Sequence, residues 1–468
     1  MSTMHPQRRL SSQKMSQMQA EGPLGLTMVA SAVTTSPTLA INEAVAKQRA
    51  EGQEIIHLGF GEASFPLHPL LQTALSEAAK HTAYAPVLGI AELRKAIADY
   101  LTRTRQLACL PEQIAVGPGS KPLLYALLQV LEGDLLLPVP SWVSYAPQAK
   151  LAGRNVIGVE TDSADCHRIT PQKLTMALDC ARNSGANPRI LLVNTPSNPT
   201  GSMFTYDDAE AIALWAREKG ITLISDEIYA ELAHGWREHI SPACFYPEGT
   251  IITGGLSKAF SAGGWRLGYA MMPPTEQGLH VITALRSLGS EIWSSASTPI
   301  QKAAVVAFSP NTELEDYVRR SARIHGYVAS WLYEVFVGLD IPCPRPAGAF
   351  YLYPDFSPWR QALLKQGVTT SEELALYLLN KWNIATLPGS AFGEKPEVLH
   401  LRLSTSMLYT PDGVAGDERK AILWDLLAHA EQLPSQYQAD GPQLTLPALD
   451  RVQKRFTEVI TFLTSIQI

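Results

Sequence analysis

The 468-residue sequence predicts an α/β protein, with a mainly parallel central sheet in a large domain and a smaller α+β domain beyond it. Three observations carry that prediction. The chain exceeds a typical domain of about 100–200 residues, so two lobes are expected. Between about Leu70 and Ile300, short apolar strand patterns alternate with amphipathic helical ones, the pattern of a parallel sheet covered on both faces. After about Pro310 the alternation gives way to a long helical stretch and then short strands.

In chain order, residues 1–30 begin "MSTMHPQRRLSSQKMSQMQA", basic and without an acid through Ala20, and read as a disordered leader. An organelle address in residues 1–20 is the alternative reading of that composition. Residues 31–68 are expected to return to the small domain. Residues 69–305 form the large domain: "AELRKAIADYL" and "DDAEAIALWAREKG" read as helices, and "GDLLLPVPSW", "RILLVNTP", "ITLISDEIY" and "GTIITGGLSK" as buried strands that run into loops. Open α/β sheets bind ligands at such carboxyl-end loops, so the polar residues there are the candidates for chemistry. Residues 306–468 form the small domain. It opens with the helical stretch "TELEDYVRRSARIHGYVASWLYEVF", continues through strands in "AGAFYLYPDF" and "VLHLRLST", and carries an insertion near 409–446 before the closing helix.

A net charge of -6 provides no basic surface for nucleic acid or anionic membrane. No run approaches the roughly 18 apolar residues a bilayer requires. The five cysteines, Cys109, Cys166, Cys180, Cys244 and Cys343, form no CxxC pair, which argues against a disulfide framework or a thiolate metal site. A reducing, cytoplasmic setting and no metal are therefore expected.

The chemistry concentrates in "GGLSKAFSAGGWRLGYA", Gly254 to Ala270. Lys258 follows an apolar strand among small residues that let the backbone lie against a flat ligand. A lysine desolvated there loses its proton readily and becomes a nucleophilic amine. Eight positions on, Arg266 sits between glycine-rich flanks, where a permanently charged fork suits a phosphate. In "VGPGSKPLLYALL", Gly119, Ser120 and Lys121 form a turn opening a helix, whose free amides and dipole favour an anion.

Together with "NTPSNPTG" and "SDEIYAEL", these segments resemble the signature segments of the fold-type I, pyridoxal phosphate (PLP)-dependent class I/II aminotransferases, from about Ser36 to Thr405. The resemblance implies the PLP-dependent transferase fold. It implies that Lys258 carries the internal aldimine and moves a proton at the substrate α-carbon. Asp226 is similar to the aspartate that pairs with the pyridinium nitrogen. Tyr229 and Asn198 resemble the pair bonded to the cofactor's phenolic oxygen, and Trp142 resembles the aromatic stacked on its ring. Gly119, Ser120, Lys121, Ser257 and Arg266 match the phosphate cup. Tyr84 resembles the tyrosine that reaches the phosphate from a neighbouring subunit, which implies a homodimer. On the substrate side, Arg402 in "HLRLSTS" matches the arginine that grips the α-carboxylate, with Asn198 and a backbone contact from Gly61.

The implied reaction is transamination between an L-amino acid and a 2-oxo acid. Lys121 also points to an acidic substrate. A PLP-dependent lyase, oxidase or cyclising enzyme is the alternative, and a non-catalytic effector sensor is opposed by the full set Lys258, Asp226, Tyr229, Arg266 and Arg402. Two positions depart from the family pattern. Gly255 stands where many members place a serine or threonine, which predicts a missing phosphate hydrogen bond. Ala63 and Ser64 stand in place of proline and aspartate, which predicts a different substrate-side loop.

Overall fold

Apart from the short strand β1 (Ile56–His57), the first strands of the chain build one seven-stranded sheet. They are β2 (Ile114–Gly117), β3 (Asp134–Val139), β4 (Val156–Glu160), β5 (Pro188–Asn194), β6 (Thr222–Asp226), β7 (Thr250–Gly255) and β8 (Gly268–Met271), in spatial order β2-β8-β7-β6-β5-β3-β4. The β3–β4, β3–β5, β5–β6 and β6–β7 pairings are parallel. Only β8 runs against its neighbours β7 and β2. Leu135 to Leu137, Ile190 to Val193 and Leu223 to Ile224 are buried without alternation, as strands covered on both faces must be. This computed structural model describes residues 25–27, 31 and 35–467, except 236, 412, 435, 439–443 and 445. The leader expected over residues 1–30 thus lies outside the described residues but for 25–27.

Residues Ser36–Ile468 form one compact unit. Its remaining strands are β9 (Tyr351–Leu352), β10 (Ile384–Ala385), β11 (Leu387–Pro388) and β12 (Leu401–Ser404), with β11-β12-β9 an antiparallel sheet. The early strand β1 pairs in parallel with β10, so chain from before the large sheet packs among these later elements. The helix Thr312–Gly338 starts where the Asn311 side chain accepts from Leu314 N at 3.0 Å, a polar N-cap that satisfies one otherwise open amide. Its inner face joins Phe356, Leu403 and the closing helix Pro447–Gln467 in a single apolar core. Leu423, Leu427 and Leu433, from the segment expected as an insertion, are buried in that same core and make it part of the packing.

Two close approaches in the large sheet position the site. The stretch from Gly254 to Ala270 folds as the end of β7, a turn, and β8 returning antiparallel, with Gly255 opposite Gly268. A Cβ at Gly268 would lie 2.2 Å from Ser120 N, so only glycine lets the helix Ser120–Val130 begin directly against β8.

Candidate active site

Asp226 ends β6 and Lys258 follows β7, its neighbour, so both occupy the carboxyl edge of the sheet. Asp226 is 3% exposed. Its Oδ2 accepts from Tyr145 OH at 2.7 Å, and its Oδ1 from Thr253 Oγ1 at 3.2 Å and Ile228 N at 3.3 Å. Burial pushes its pKa up to about 6 against these donors, and no cationic side chain pairs with it among the described residues. Lys258 Nζ donates to Gly61 O at 2.8 Å and lies 5.6 Å from the Tyr229 ring centroid and 5.7 Å from that of Phe350. Its side chain opens partly on the cleft, yet surrounding protein lowers its pKa to about 8, chiefly through burial. Arg402, Arg266 and Lys121 add like-charge repulsion, and Glu62 opposes it.

A cationic end adjoins Lys258. Gly119, at φ +108°, precedes the helix Ser120–Val130, whose first amides receive no side-chain cap. A Cβ at Gly119 would come within 2.5 Å of Arg266 Nη2. Arg266 itself donates from Nη1 to Gly263 O at 3.0 Å, while Lys121 Nζ lies 4.8 Å from the Trp142 ring centroid. Burial lowers the Lys121 pKa, and the nearby Arg266 guanidinium lowers it further. Two cations and a row of open amides thus converge, and neither cation pairs with an acid among the described residues. Ser257, half-buried beside Lys258, belongs to the same turn.

The opposite end is built around Arg402 on β12, 1% exposed. One guanidinium nitrogen donates to Gly59 O, and Nη1 reaches Asn198 Oδ1 at 3.4 Å. Nε has no partner among the described residues. Burial lowers the Arg402 pKa, and the groups that oppose this are the tyrosines Tyr351, Tyr229 and Tyr353 rather than carboxylates. A buried guanidinium without a carboxylate is costly unless a ligand supplies one. Asn198 is held in turn by its own amide, which donates to Asn194 Oδ1 at 2.7 Å.

Of the sequence-predicted residues, the contacts above bring Gly61 and Tyr229 to Lys258, Asn198 to Arg402, Gly119 to Arg266 and Lys121 to Trp142, while Asp226 and Ser257 lie with Lys258 at the carboxyl edge of the sheet and Ser120 opens its helix against Gly268. Tyr84 stands 92% exposed in the single chain. Three contributors escaped the sequence reading. Tyr145 holds Asp226, Tyr351 OH bonds Tyr229 OH at 2.7 Å, and Phe350 walls Lys258. Tyr145 stands three residues after Trp142, a spacing that offered a signal; Tyr351 and Phe350 come from β9 and its approach, and offered none. The departure at Gly255 has a packing cause, since a Cβ there would lie 2.7 Å from Leu267 O. At the other departure, Ser64 Oγ donates to Ser406 O at 2.5 Å and Ala63 packs against Tyr229 and Tyr351.

Apart from Arg402, the unbalanced groups of the cleft have their complements in one molecule. Pyridoxal phosphate brings a ring nitrogen able to carry a proton to a buried carboxylate, a phosphate to a cationic pocket, and an aldehyde to an amine of lowered pKa. Known proteins agree. The profile of the family "Aminotransferase class I and II" matches residues 53–409. Aspartate aminotransferase of Bacillus subtilis is 35% identical over 389 residues, spanning 81% of this chain and 94% of that protein. Aspartate/prephenate aminotransferase of Thermus thermophilus is 32% identical over 388 residues, 81% of this chain and 94% of that one. The solved aspartate aminotransferase from Thermus thermophilus with maleate superposes with a TM-score of 0.74 at 31% identity, over 86% of this chain and 98% of that structure. The chain belongs to the class I and II aminotransferases, and it is a pyridoxal phosphate-dependent enzyme that transfers amino groups between amino acids and 2-oxo acids.

Proposed function

We propose that the enzyme prefers an acidic L-amino acid, aspartate foremost, as its amino donor, with a dicarboxylic 2-oxo acid as acceptor. The observation that carries the amino-acid end is Arg402, a buried guanidinium facing the cleft with no carboxylate of its own. A planar fork of this kind grips an α-carboxylate through two parallel bonds. Support for the acidic side chain comes from relatives named for aspartate and from the Thermus thermophilus structure solved with maleate, itself a dicarboxylate. Lys121, partly buried and uncompensated, is the candidate partner for the distal carboxylate.

When bound, pyridoxal phosphate supplies an aldehyde for the substrate amine and a ring that draws electrons from the α-carbon. Asp226, held by Tyr145 and Thr253, is the residue that would accept the ring N–H and favour its charged form. Arg266, Ser257, the Gly119–Lys121 turn and the amide end of its helix would hold the phosphate. Tyr229 and Asn198 would bond the cofactor's phenolic oxygen, and Trp142 would stack on the ring. Lys258 Nζ, with a pKa near 8, is neutral in a useful fraction of molecules at mildly alkaline pH, and takes a proton from the substrate α-carbon and returns one. Arg402, Asn198 and the Gly61 backbone fix the substrate so that the α-proton faces that amine.

Tyr84 supports a homodimer in which its exposed ring serves the partner's phosphate pocket, and five free cysteines support a reducing, cytoplasmic setting. The test is a donor screen with 2-oxoglutarate as acceptor. Aspartate should exceed alanine in kcat/KM by about 10²-fold or more, because a site that pairs a charged group rejects the analogue without it. A preference for neutral or aromatic donors overturns the acidic assignment. Sedimentation of the holoenzyme as a monomer overturns the dimer.

A further inference from the structure

Two histidines and a glutamate that take no part in holding cofactor or substrate meet beside the strand that presents Arg402. His167 lies on the loop after β4; Glu394 and His400 lie on the segment entering β12. One ligand atom from each falls within 4.8 Å of the others. The imidazole rings of His167 and His400 stand 5.5 Å apart, edge to face.

The hydrogen bonds decide which atoms face the gap. Thr161 has one hydroxyl proton, and Oγ1 commits it to Val139 O at 2.5 Å. The contact of 3.0 Å between Thr161 Oγ1 and His167 Nδ1 therefore has the histidine as donor. With the proton on Nδ1, His167 Nε2 holds a lone pair, and this atom is buried and unpartnered while the residue is only 7% exposed. A buried acceptor left this way is costly. On Glu394, Tyr353 OH donates to Oε2 at 2.7 Å, and His400 Nδ1 donates to both carboxylate oxygens, Oε1 at 2.9 Å and Oε2 at 3.0 Å. The far nitrogen of His400, Nε2, points toward Asp355 Oδ2 at 3.8 Å.

We infer that His167 Nε2, Glu394 Oε1 and His400 Nδ1 form a binding site for a divalent first-row metal ion, zinc foremost, with His400 Nδ1 releasing to solvent the proton it otherwise donates to Glu394. Two imidazole nitrogens and one carboxylate oxygen are a ligand set zinc accepts, with water in the fourth position. Bonds of about 2.0–2.2 Å put ligand atoms roughly 3.4 Å apart around such an ion, so the observed spacing closes with small side-chain shifts. The outer partners match those of a metal site. Thr161 receives the His167 Nδ1–H, Asp355 faces the His400 Nε2–H, and Tyr353 steadies the glutamate. Of the three ligands, His167 also lines a cavity of about 170 Å³, which it shares with Thr161, Cys166, Tyr145 and Asn198. Bound there, the ion ties the loop after β4 to the strand carrying Arg402, two residues beyond His400, and so steadies the substrate arginine relative to the sheet that carries Asp226.

The test uses tag-free, full-length holoenzyme stripped with a chelator, titrated with zinc chloride against a chromogenic zinc chelator and assayed for retained zinc after desalting. One zinc per chain is expected, with affinity falling about 10²-fold or more in both His167→Ala and Glu394→Gln. Zinc should raise the melting temperature of the wild type but not that of His167→Ala. No zinc retained by the wild type, or undiminished affinity in His167→Ala, overturns the site. Should neither variant fold, wild-type protein loaded with cobalt(II) decides. The visible spectrum of a four-coordinate ion upholds the site, and that of the hydrated ion overturns it.

Discussion

Gly255 and Leu267 approach so closely across the β7–β8 turn that a Cβ at position 255 would stand 2.7 Å from the Leu267 carbonyl oxygen and 3.0 Å from Gly268 Cα. The obstacle is backbone on both counts, so it does not yield as a side chain would. Gly255→Ser, which installs the hydroxyl many family members carry there, is therefore expected to cost about 1–3 kcal/mol of stability as overpacking. It should also loosen the phosphate turn it would seem to complete. Thermal unfolding with and without cofactor checks this. A variant that melts with the wild type and binds cofactor more tightly would show that the turn has room.

The lowered pKa of Lys258 makes its charge a burden to the apo fold. Its folded-state pKa, about 8, lies below the ordinary 10.5, so its favourable contribution is complete above pH 10.5 and is lost as pH falls through 8. Lys258→Met keeps the apolar stem without the ammonium. The apo variant is expected to melt several degrees above the apo wild type at pH 7, with the gap narrowing as pH rises from about 8 to 10.5. A pH-independent gap would assign the difference to packing instead.

Much of this site was legible in the sequence because its charged members stand at strand ends. Asp226 closes β6, Lys258 follows β7 and Arg402 sits in β12, and a polar residue interrupting an apolar run is visible without coordinates. The alternating pattern likewise marked the strands and helices of the large sheet. What stayed hidden depends on chain segments far apart in sequence. Tyr351 meets Tyr229 across 122 positions, and the His167–Glu394–His400 cluster joins a loop of the large sheet to a segment more than 200 residues later. Gly255 is the instructive middle case. Its departure from the family pattern was plain, but its cause, the backbone of β8, became visible only once β7 and β8 were paired.

The bond from Tyr145 OH to Asp226 Oδ2, 2.7 Å long, helps keep a buried carboxylate ionised. Donors to the charged form lower a carboxylate's pKa, so Tyr145→Phe removes such a donor and should move Asp226 upward from about 6. The acid limb of the kcat/KM profile is then expected to shift to higher pH, with cofactor released more readily at pH 6 than at pH 8. A structural role alone would lower activity evenly across pH. An unshifted acid limb would therefore show that Tyr145 merely fills space.

Arg402 is fixed on both sides, by Gly59 O and by Asn198 Oδ1, and like the phosphate-end cations it pairs with no acid among the described residues. Arg402→Lys keeps the charge but replaces the planar fork with a point charge that reaches less far and bonds one oxygen at a time. The expected loss is about 10²-fold in kcat/KM for the amino acid, with KM carrying most of it, while the absorption spectrum of the bound cofactor stays unchanged. The asymmetry between those readouts is the point, since Arg402 lies at the substrate end and Arg266 at the end that holds phosphate. Loss of the cofactor spectrum in Arg402→Lys, or a full spectrum with unchanged KM, would place the substrate carboxylate elsewhere in the cleft.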